Sequence, residues 1–494
     1  MERKRVSELI TTDEIKQWKD NDIITITAGT GVGKSYFIKN ILHAFSKKEN
    51  KRILFLIHRS NCVKQFQKEI EVDRKADIID IRTYQSLESL KNNHKKEFDF
   101  SDYQYIVCDE FHYFMSDASF NKTTDISLNL ILSQKNKIKI FMSATGNTMK
   151  NYIENIKKMK TISYELPITY NFIKTLTFFN KDETMEKFIE ETIEKDEKGI
   201  FFIQSVKKAY ELHKRYEKYT LFNCSKFNNK YYKYVNVDRI DRMLQNERFE
   251  ERILITTTCM DAGVNIKDDK VKHIVCDVKD IGSLIQCIGR KRLQNDNDKI
   301  DLYIKTISNE QLGGMKSQLK LKIEMANFLK KHTVREFIEK YPRRNDYNNI
   351  VYDDSISEDN KCTKRINELI YYKASLDICD IEIILMYKKY GYCKYLANKF
   401  GFTDDTDNGF MYKLIDEEYE KESLEDYLEN ITSKRLYKQE QEELIEKIDL
   451  RVNGRQQKSY SKLNQGLKML KLQYVILPKK GNSNRYWKIE NIDI

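Results

Sequence analysis

An alternation that runs twice along this chain restricts its fold more than anything else in it. Short runs of β-branched and aromatic residues alternate with helical stretches from Ile23 to about Thr306. Parallel neighbouring strands need a long crossover, usually a helix, so this order points to an α/β fold with parallel sheets. The first set of strands reads as Ile23–Thr27, Arg52–Ile57, Ile78–Ile81, Tyr105–Cys108, Ile138–Met142 and Thr161–Glu165. The pattern breaks at Leu166-Pro-Ile-Thr169. It restarts as Thr175–Phe179, Gly199–Ile203, Thr220–Asn223, Arg252–Thr256, His273–Cys276 and Lys299–Ile304. Two similar α/β blocks in tandem, joined near Pro167, account for this economically.

Behind the first strand stands a small-residue loop, Ala28, Gly29, Thr30, Gly31, Val32, Gly33, Lys34 and Ser35. Strand, glycine-rich loop, then helix is the context in which backbone N–H groups turn inward around phosphate oxygens. Lys34 can reach the β- and γ-phosphates of a nucleotide such as ATP, and the Ser35 hydroxyl can ligate Mg²⁺. An ordinary glycine-rich turn would look similar, but the strand before and the helix after favour a phosphate loop.

A second element is Ile106-Val-Cys-Asp-Glu-Phe-His112, which places Asp109 and Glu110 at the end of an apolar strand. Open parallel sheets bind ligands outside the carboxyl ends of their strands. One carboxylate there can hold the Mg²⁺ that Ser35 also holds. Its neighbour can orient or deprotonate an attacking water.

Together these residues resemble a superfamily 2 helicase of the DExH type, the phage- and plasmid-like DEAD/DEAH-box group. Ala28–Ser35 looks like motif I, Asp109-Glu-Phe-His112 like motif II and Met142-Ser-Ala-Thr145 like motif III. Ile57-His-Arg-Ser-Asn61 is similar to motif Ia, and Arg82-Thr-Tyr-Gln-Ser86 to the threonine-bearing motif that grips backbone phosphates. In the second block Ile200–Ser205, Thr256–Asn265 and Gln286-Cys-Ile-Gly-Arg-Lys-Arg292 look like motifs IV, V and VI. The resemblance covers about residues 20–305, in family order. It implies two RecA-like domains with ATP between them and nucleic acid across their top.

Roles follow position by position from the resemblance. Lys34 and Ser35 would bind phosphate and Mg²⁺, Asp109 would bind Mg²⁺ through water, and Glu110 would be the catalytic base. His112, Ser143 and Thr145 would couple ATP state to grip on the strand. Gln286 would touch the γ-phosphate region, with Arg290 as the arginine finger and Arg292 as a second finger. Gly263 would lie at the nucleotide. His58, Arg59, Thr83, Gln85 and Thr257 would contact nucleic acid, although His58 and Arg59 read equally well as a loop salt bridge. Cys287 stands where the family pattern has Arg, and Leu293 where it expects the second finger.

The remainder carries less chemistry. Residues 307–434 read as helices with polar loops, for example Gln318–Lys330 and Lys364–Lys373, forming a helical accessory region. The acidic stretch Asp416-Glu-Glu-Tyr-Glu-Lys-Glu422 reads as a solvated helix face. The expected domains are therefore 1–166, 167–306, 307–434 and a basic module over 435–494. From Arg451 through Ile489 there are ten Lys or Arg and no Asp or Glu. A helix over Ser461–Leu472, then strands Tyr474–Leu477 and Tyr486–Ile489 around a turn-rich loop Pro478–Asn484, resembles the end of a winged-helix module, with Lys479, Lys480 and Arg485 expected to contact nucleic acid. A solvated basic tail is the alternative.

Net charge is +11, from 87 Lys and Arg against 76 Asp and Glu, which fits a polyanionic partner. No apolar run approaches the ~18–20 residues that a membrane helix needs. The charged start Met1-Glu-Arg-Lys-Arg has no apolar segment behind it, and the nine cysteines are widely spaced. The expectation is a cytoplasmic protein with free thiols and no membrane partner. Lys230-Tyr-Tyr-Lys-Tyr234 interleaves bases and aromatics as stacking surfaces do, but packing of a loop on the second block is the favoured reading. The leading function is an ATP-driven helicase or translocase, with DNA favoured over RNA. An ATP-switched initiator or loader without strand separation is the alternative, and a P-loop ATPase with no nucleic-acid role is a third.

Overall fold

The structure is a computed structural model. It describes residues 4–29, 31–58, 60–92, 98–116, 124–260, 264–295, 297–343, 347, 349–355, 362–402, 404–405, 409–410, 412–452, 455–481 and 484–492. The chain divides into two compact units, Met1–Leu176 with Met185–Tyr412, and Thr177–Thr184 with Lys413–Ile494.

In the first unit the amino-terminal lobe is built on a six-stranded sheet. Its strands are β1 (Ile23–Ala28), β2 (Arg52–Ile57), β3 (Ile79–Thr83), β4 (Tyr103–Asp109), β5 (Ile138–Ser143) and β6 (Ile162–Leu166). They lie in the order β3-β2-β4-β5-β1-β6, with every pairing parallel. Both faces are covered, which is why β1 and β5 are buried along their whole lengths and read as near-continuous apolar runs. The order matters for function. It seats β1, β5 and β4 side by side, with Thr27 opposite Ser143 and Asp109 opposite Met142. The phosphate loop, the Ser-Ala-Thr segment and the carboxylate pair, far apart in sequence, therefore leave the sheet at one edge.

The second lobe repeats the architecture with β7 (Ile173–Phe179), β8 (Lys198–Ile203), β9 (Thr220–Asn223), β10 (Ile253–Thr256), β11 (Val271–Asp277) and β12 (Ile300–Lys305). These six run in the order β7-β12-β11-β8-β10-β9. Both blocks expected from the sequence are thus parallel α/β sheets, and the strands fall within two residues of the expected bounds.

Residues 307–412 depart from the expected all-helical reading. Helices Asn309–Lys331, Val334–Lys340, Glu368–Met386 and Gly391–Phe400 are present, but an antiparallel hairpin pairs Val351–Ser355 with Cys362–Ile366. Lys364, expected to open a helix, lies in this hairpin and pairs with Asp353. The helix starts only at Glu368, because buried Asn367 caps it, its Oδ1 accepting from the N–H groups of Leu369 (3.0 Å) and Ile370 (3.1 Å). These elements are not a detached scaffold. Met325, Ala326, Phe337, Leu369 and Ile370 join one apolar cluster with Phe111, Tyr113 and Tyr152 of the first lobe.

In the second unit, Lys413–Leu414 pairs in parallel with Thr177 and Phe178. Asp416 corrects the expectation of a solvated acidic face: it is 4% exposed. Its carboxylate accepts hydrogen bonds from the backbone of Asn180 and Lys181 and from the Thr184 hydroxyl, capping the helix Asp182–Glu194 at its start. Further on come helix Ile415–Ile431, a bridge strand at Leu436 paired with Trp487, helices Lys438–Ile448 and Tyr460–Met469, and the hairpin Tyr474–Lys480 with Arg485–Asn491. Leu428, Leu444, Leu463, Leu467, Ile476 and Ile489 close one small core. Apart from a two-residue antiparallel pair, Arg451–Val452 with Arg455–Gln456, between the last two helices, this order of helix, strand, helix, helix and hairpin resembles that of a winged helix. The hairpin is longer than its sequence suggested, so Pro478, Lys479 and Lys480 belong to a strand and not to the loop. No helix among the described residues is long and apolar enough to cross a membrane.

Candidate active site

The loop after β1 is shaped by two glycines in the left-handed region, Gly31 (φ 82°) and Gly33 (φ 91°), where a side chain would be strained. Helix begins at Lys34. The Lys34 ammonium is buried and donates to the carbonyls of Ala28 (2.7 Å) and Gly29 (3.0 Å). Burial lowers its pKa, while the charges of Glu110 and Asp109 work the other way. Val32 accepts from the Val6 N–H at 3.0 Å, so the amino-terminal helix braces the loop. Ser35 is half-buried beside it. Thr30 lies outside the described residues.

At the end of β4 the chain turns sharply, because Glu110 adopts φ 49°, uncommon for a residue with a side chain. The turn brings Glu110 against the end of β5. Ser143 Oγ lies 3.4 Å from Glu110 Oε2, and His112 Nδ1 lies 2.8 Å from Ser143 Oγ and 3.3 Å from Glu110 Oε2. Burial and the adjacent Glu110 raise Asp109 to about 7. Burial pushes Glu110 upward too, but the hydrogen bond and charge of His112, with Lys34, outweigh it and hold Glu110 ionised. One carboxylate of the pair thus carries the charge and the other resists it. Tyr84, with no role of its own assigned from sequence within the Arg82–Ser86 motif, donates to the Asp109 carbonyl at 2.8 Å and stacks on Tyr113.

The second lobe completes the arrangement. Asp280 caps the helix Ile281–Ile288, accepting from Ser283 N–H at 2.8 Å, and this helix delivers Gln286 to the first lobe. Gln286 Nε2 donates to Thr145 Oγ1 at 3.2 Å, and Thr145 N–H donates to Ser143 Oγ at 3.1 Å. Arg290 is 2% exposed and donates to Gln286 Oε1 (2.9 Å), the Gln286 carbonyl (3.0 Å) and the Val264 carbonyl (3.3 Å). The result is one polar path, Glu110–His112–Ser143–Thr145–Gln286–Arg290, across both lobes.

Arg292 points elsewhere. Its Nε donates to Asn265 Oδ1 at 2.7 Å, and a methyl group on Gly31 would stand 3.6 Å from its Nη1. The second guanidinium therefore lies against the phosphate loop. Burial and the nearby Arg290 disfavour its charge, against the smaller opposing effect of Glu110 and Glu247. Asn265 was not foreseen; its place in motif V was the available signal. Gly263 lies outside the described residues.

Of the residues expected at nucleic acid, His58, Thr83, Gln85 and Thr257 line one cleft of about 2920 Å³ between the lobes, together with Thr145 and Gln286. Gln85 is exposed, whereas His58 is 8% exposed and packs its ring 4.3 Å from that of Tyr113. Thr257 is 5% exposed, and its hydroxyl accepts from Cys259 N–H at 3.3 Å. Arg59 lies outside the described residues. Lys479, Lys480 and Arg485 are exposed on the hairpin of the second unit, away from this group in the chain. Cys108 and Cys287 are fully buried, as small apolar residues, and they, like Cys224, Cys259, Cys276, Cys379 and Cys393, form no disulfide.

Residues 3–148 match the family described as Type III restriction enzyme, res subunit. No curated protein matches the chain. Among solved structures, S. cerevisiae Dbp5 bound to RNA and ADP BeF3 is 15% identical over 60% of this chain and 82% of its own, with a TM-score of 0.43. Mss116p bound to ssRNA and AMP-PNP is 16% identical over 66% of this chain and 80% of its own, with a TM-score of 0.44. Mycobacterium smegmatis helicase Lhr bound to ssDNA and AMP-PNP is 12% identical over 62% of this chain and 46% of its own, with a TM-score of 0.42.

Proposed function

We propose that this chain is an ATP-dependent nucleic-acid helicase or translocase, acting on DNA in preference to RNA. The observation that carries the reading is the polar path from Glu110 to Arg290. It connects the group suited to activating water with the group suited to stabilising the transferred phosphoryl. It does so through Thr145 and Gln286, which come from different lobes, meet in a direct hydrogen bond and both line the cleft.

In this reading Lys34 and the loop N–H groups hold the triphosphate, and ionised Glu110 accepts the proton of the attacking water. Arg290 and Arg292 neutralise charge on the phosphoryl oxygens when the lobes close. Ser35 and Asp109 are oxygen donors suited to Mg²⁺, a cation that takes few protein ligands. The raised Asp109 beside ionised Glu110 marks negative charge that such a cation relieves. When bound, Mg²⁺ supplies charge neutralisation at the phosphates. Loss of the γ-phosphate changes what Gln286 and Arg290 hold, and the path passes that change to the grip of Thr83, Gln85 and Thr257 on the strand. DNA is favoured because the Asp109-Glu-Phe-His112 signature and the Thr83-Tyr-Gln85 segment resemble those of phage- and plasmid-type DNA helicases.

The test is ATP hydrolysis by the full chain with matched single-stranded DNA, duplex DNA and RNA, alongside ATP-driven strand displacement. Lys34→Ala should abolish turnover while circular dichroism stays unchanged. Stimulated hydrolysis without displacement would make the chain a loader, and hydrolysis indifferent to all three nucleic acids would remove the strand from the reading.

A further inference from the structure

Phe227 is 97% exposed, more than any other large apolar side chain described. Its backbone is nevertheless held. Ser225 Oγ accepts from Phe227 N–H (3.3 Å), the Ser225 carbonyl accepts from Asn228 N–H (2.9 Å), and Asn228 caps the short helix Asn229–Tyr232. Phe227 thus occupies the position just before a helix cap, where an apolar side chain ordinarily folds back onto the fourth helical residue. That residue is Tyr232, and Phe227 does not fold onto it but stands clear in water. The aromatic residues that follow behave differently. Tyr231 and Tyr234 pack on Tyr210, with ring centroids 5.5 and 4.3 Å apart, as the packing reading of Lys230–Tyr234 expected.

The ring also has a defined setting. Phe227 lines the inter-lobe cleft with Lys226 beside it and with Thr83 and Gln85 contributed by the other lobe. Lys226, Lys230 and Lys233 are exposed in the same stretch of chain, Lys226 lining the cleft beside the ring and the other two lying over Tyr231 and Tyr234. A fixed backbone, an unpacked aromatic face and an adjacent ammonium are the components of a surface on which a nucleobase stacks while its phosphates are neutralised.

We propose that Phe227 is a base-stacking residue for a single-stranded nucleic acid in the cleft, an inference that rests on the strand-binding reading above. Stacking reads the π-face that every base carries, so the interaction is tolerant of sequence. It would fix one nucleotide relative to the second lobe, the lobe that moves with Gln286 and Arg290. Lys226 and its neighbours would supply the salt-dependent share of the same interaction.

The experiment compares the wild-type chain, Phe227→Ala and Phe227→Trp in equilibrium binding to a short oligodeoxythymidine and to an abasic strand of equal length. Phe227→Ala should weaken binding of the base-bearing strand by about 5- to 150-fold, the factor that removal of one stacked base represents. It should leave the abasic strand and the basal ATP turnover unchanged. Phe227→Trp should restore affinity, and its added emission, over that of Trp18 and Trp487, should be quenched only by the strand with bases. Equal affinity of Phe227→Ala and wild type for the base-bearing strand overturns the stacking role and leaves the helicase reading standing, as does equal weakening on both strands. A wild-type chain that binds neither strand overturns both. Self-association of the wild type that Phe227→Ala abolishes, with strand binding unchanged, assigns the ring to a protein interface and overturns the proposal.

Discussion

Thr145 Oγ1 in the first lobe accepts a hydrogen bond from Gln286 Nε2 in the second at 3.2 Å. Behind Thr145 stand Ser143, His112 and Glu110, and behind Gln286 stands Arg290. This bond joins groups that no single lobe contains, so under the proposed function hydrolysis chemistry and lobe closure would share one set of hydrogen bonds. Removing a member leaves a buried polar partner unsatisfied, which is why such networks respond strongly to single substitutions.

Glu110→Gln should bind ATP normally and hydrolyse it about 10²- to 10⁴-fold more slowly, the usual cost of losing a general base. The amide keeps an oxygen toward Ser143, so the network geometry persists. Nucleotide affinity and single-turnover hydrolysis measured together check this; turnover near that of the wild type would mean that another group activates the water.

Arg292 and Arg290 should separate. Arg292 faces the Gly31 loop, whereas Arg290 is bonded back to Gln286 and Val264. Arg292→Ala should lower kcat steeply with little change in ATP affinity, toward the about 10³- to 10⁵-fold scale of an arginine finger. Arg290→Ala should lower kcat and also uncouple turnover from the strand, because it frees Gln286. Strand-stimulated and basal rates for both variants decide it. Equal stimulation factors in Arg290→Ala and wild type would remove Arg290 from the coupling path.

The accessory helix Glu368–Met386 reaches the same machinery through Lys373. Its ammonium lies 3.2 Å from Asp280 and 2.6 Å from Asp377, and Asp280 caps the helix that carries Gln286. Burial disfavours the Lys373 charge, but the two carboxylates more than offset this and hold it protonated. Lys373→Met leaves Asp280 and Asp377 facing each other without a cation. It should lower stability by about 1–3 kcal/mol, the scale of a missing charged hydrogen bond, at the lower end because these groups are part-exposed. It should reduce kcat without altering the KM for ATP, and Lys373→Arg should rescue both. A fall in stability with unchanged kcat would confine Lys373 to a structural role.

The hairpin of the second unit sets Lys480 directly opposite Arg485, with Lys479 opposite Tyr486. Like charges in cross-strand register are unfavourable unless an anion lies against them. Replacing Lys479, Lys480 and Arg485 by Ala should weaken strand binding and flatten log affinity against log salt by about 0.7–0.9 for each phosphate that is no longer neutralised. Basal ATP turnover should be unchanged. Identical slopes for variant and wild type would mean that the hairpin does not meet phosphate.

The two parallel sheets and the candidate residues at their ends are legible in the residues alone. Buried parallel strands must be almost wholly apolar, and only glycine tolerates the backbone of Gly31 and Gly33, so β1, its loop, and Asp109 with Glu110 announce themselves locally. The hairpin at Val351–Ser355 and Cys362–Ile366 did not, because a two-stranded ribbon has one polar face, and Lys364 and Arg365 imitate a helix surface. Asp416 looked like one acid among several, and only the chain at 180–184, distant in sequence, makes it a buried cap. The path from Glu110 to Arg290 was equally hidden: each member was a candidate, but which atoms meet depends on strand order and on how two lobes face each other. Local pattern records what each residue must avoid or can bond near itself. The hydrogen bond between Thr145 and Gln286, or a bare ring at Phe227, exists only once distant segments have been packed, because packing decides which polar groups find partners and which face water.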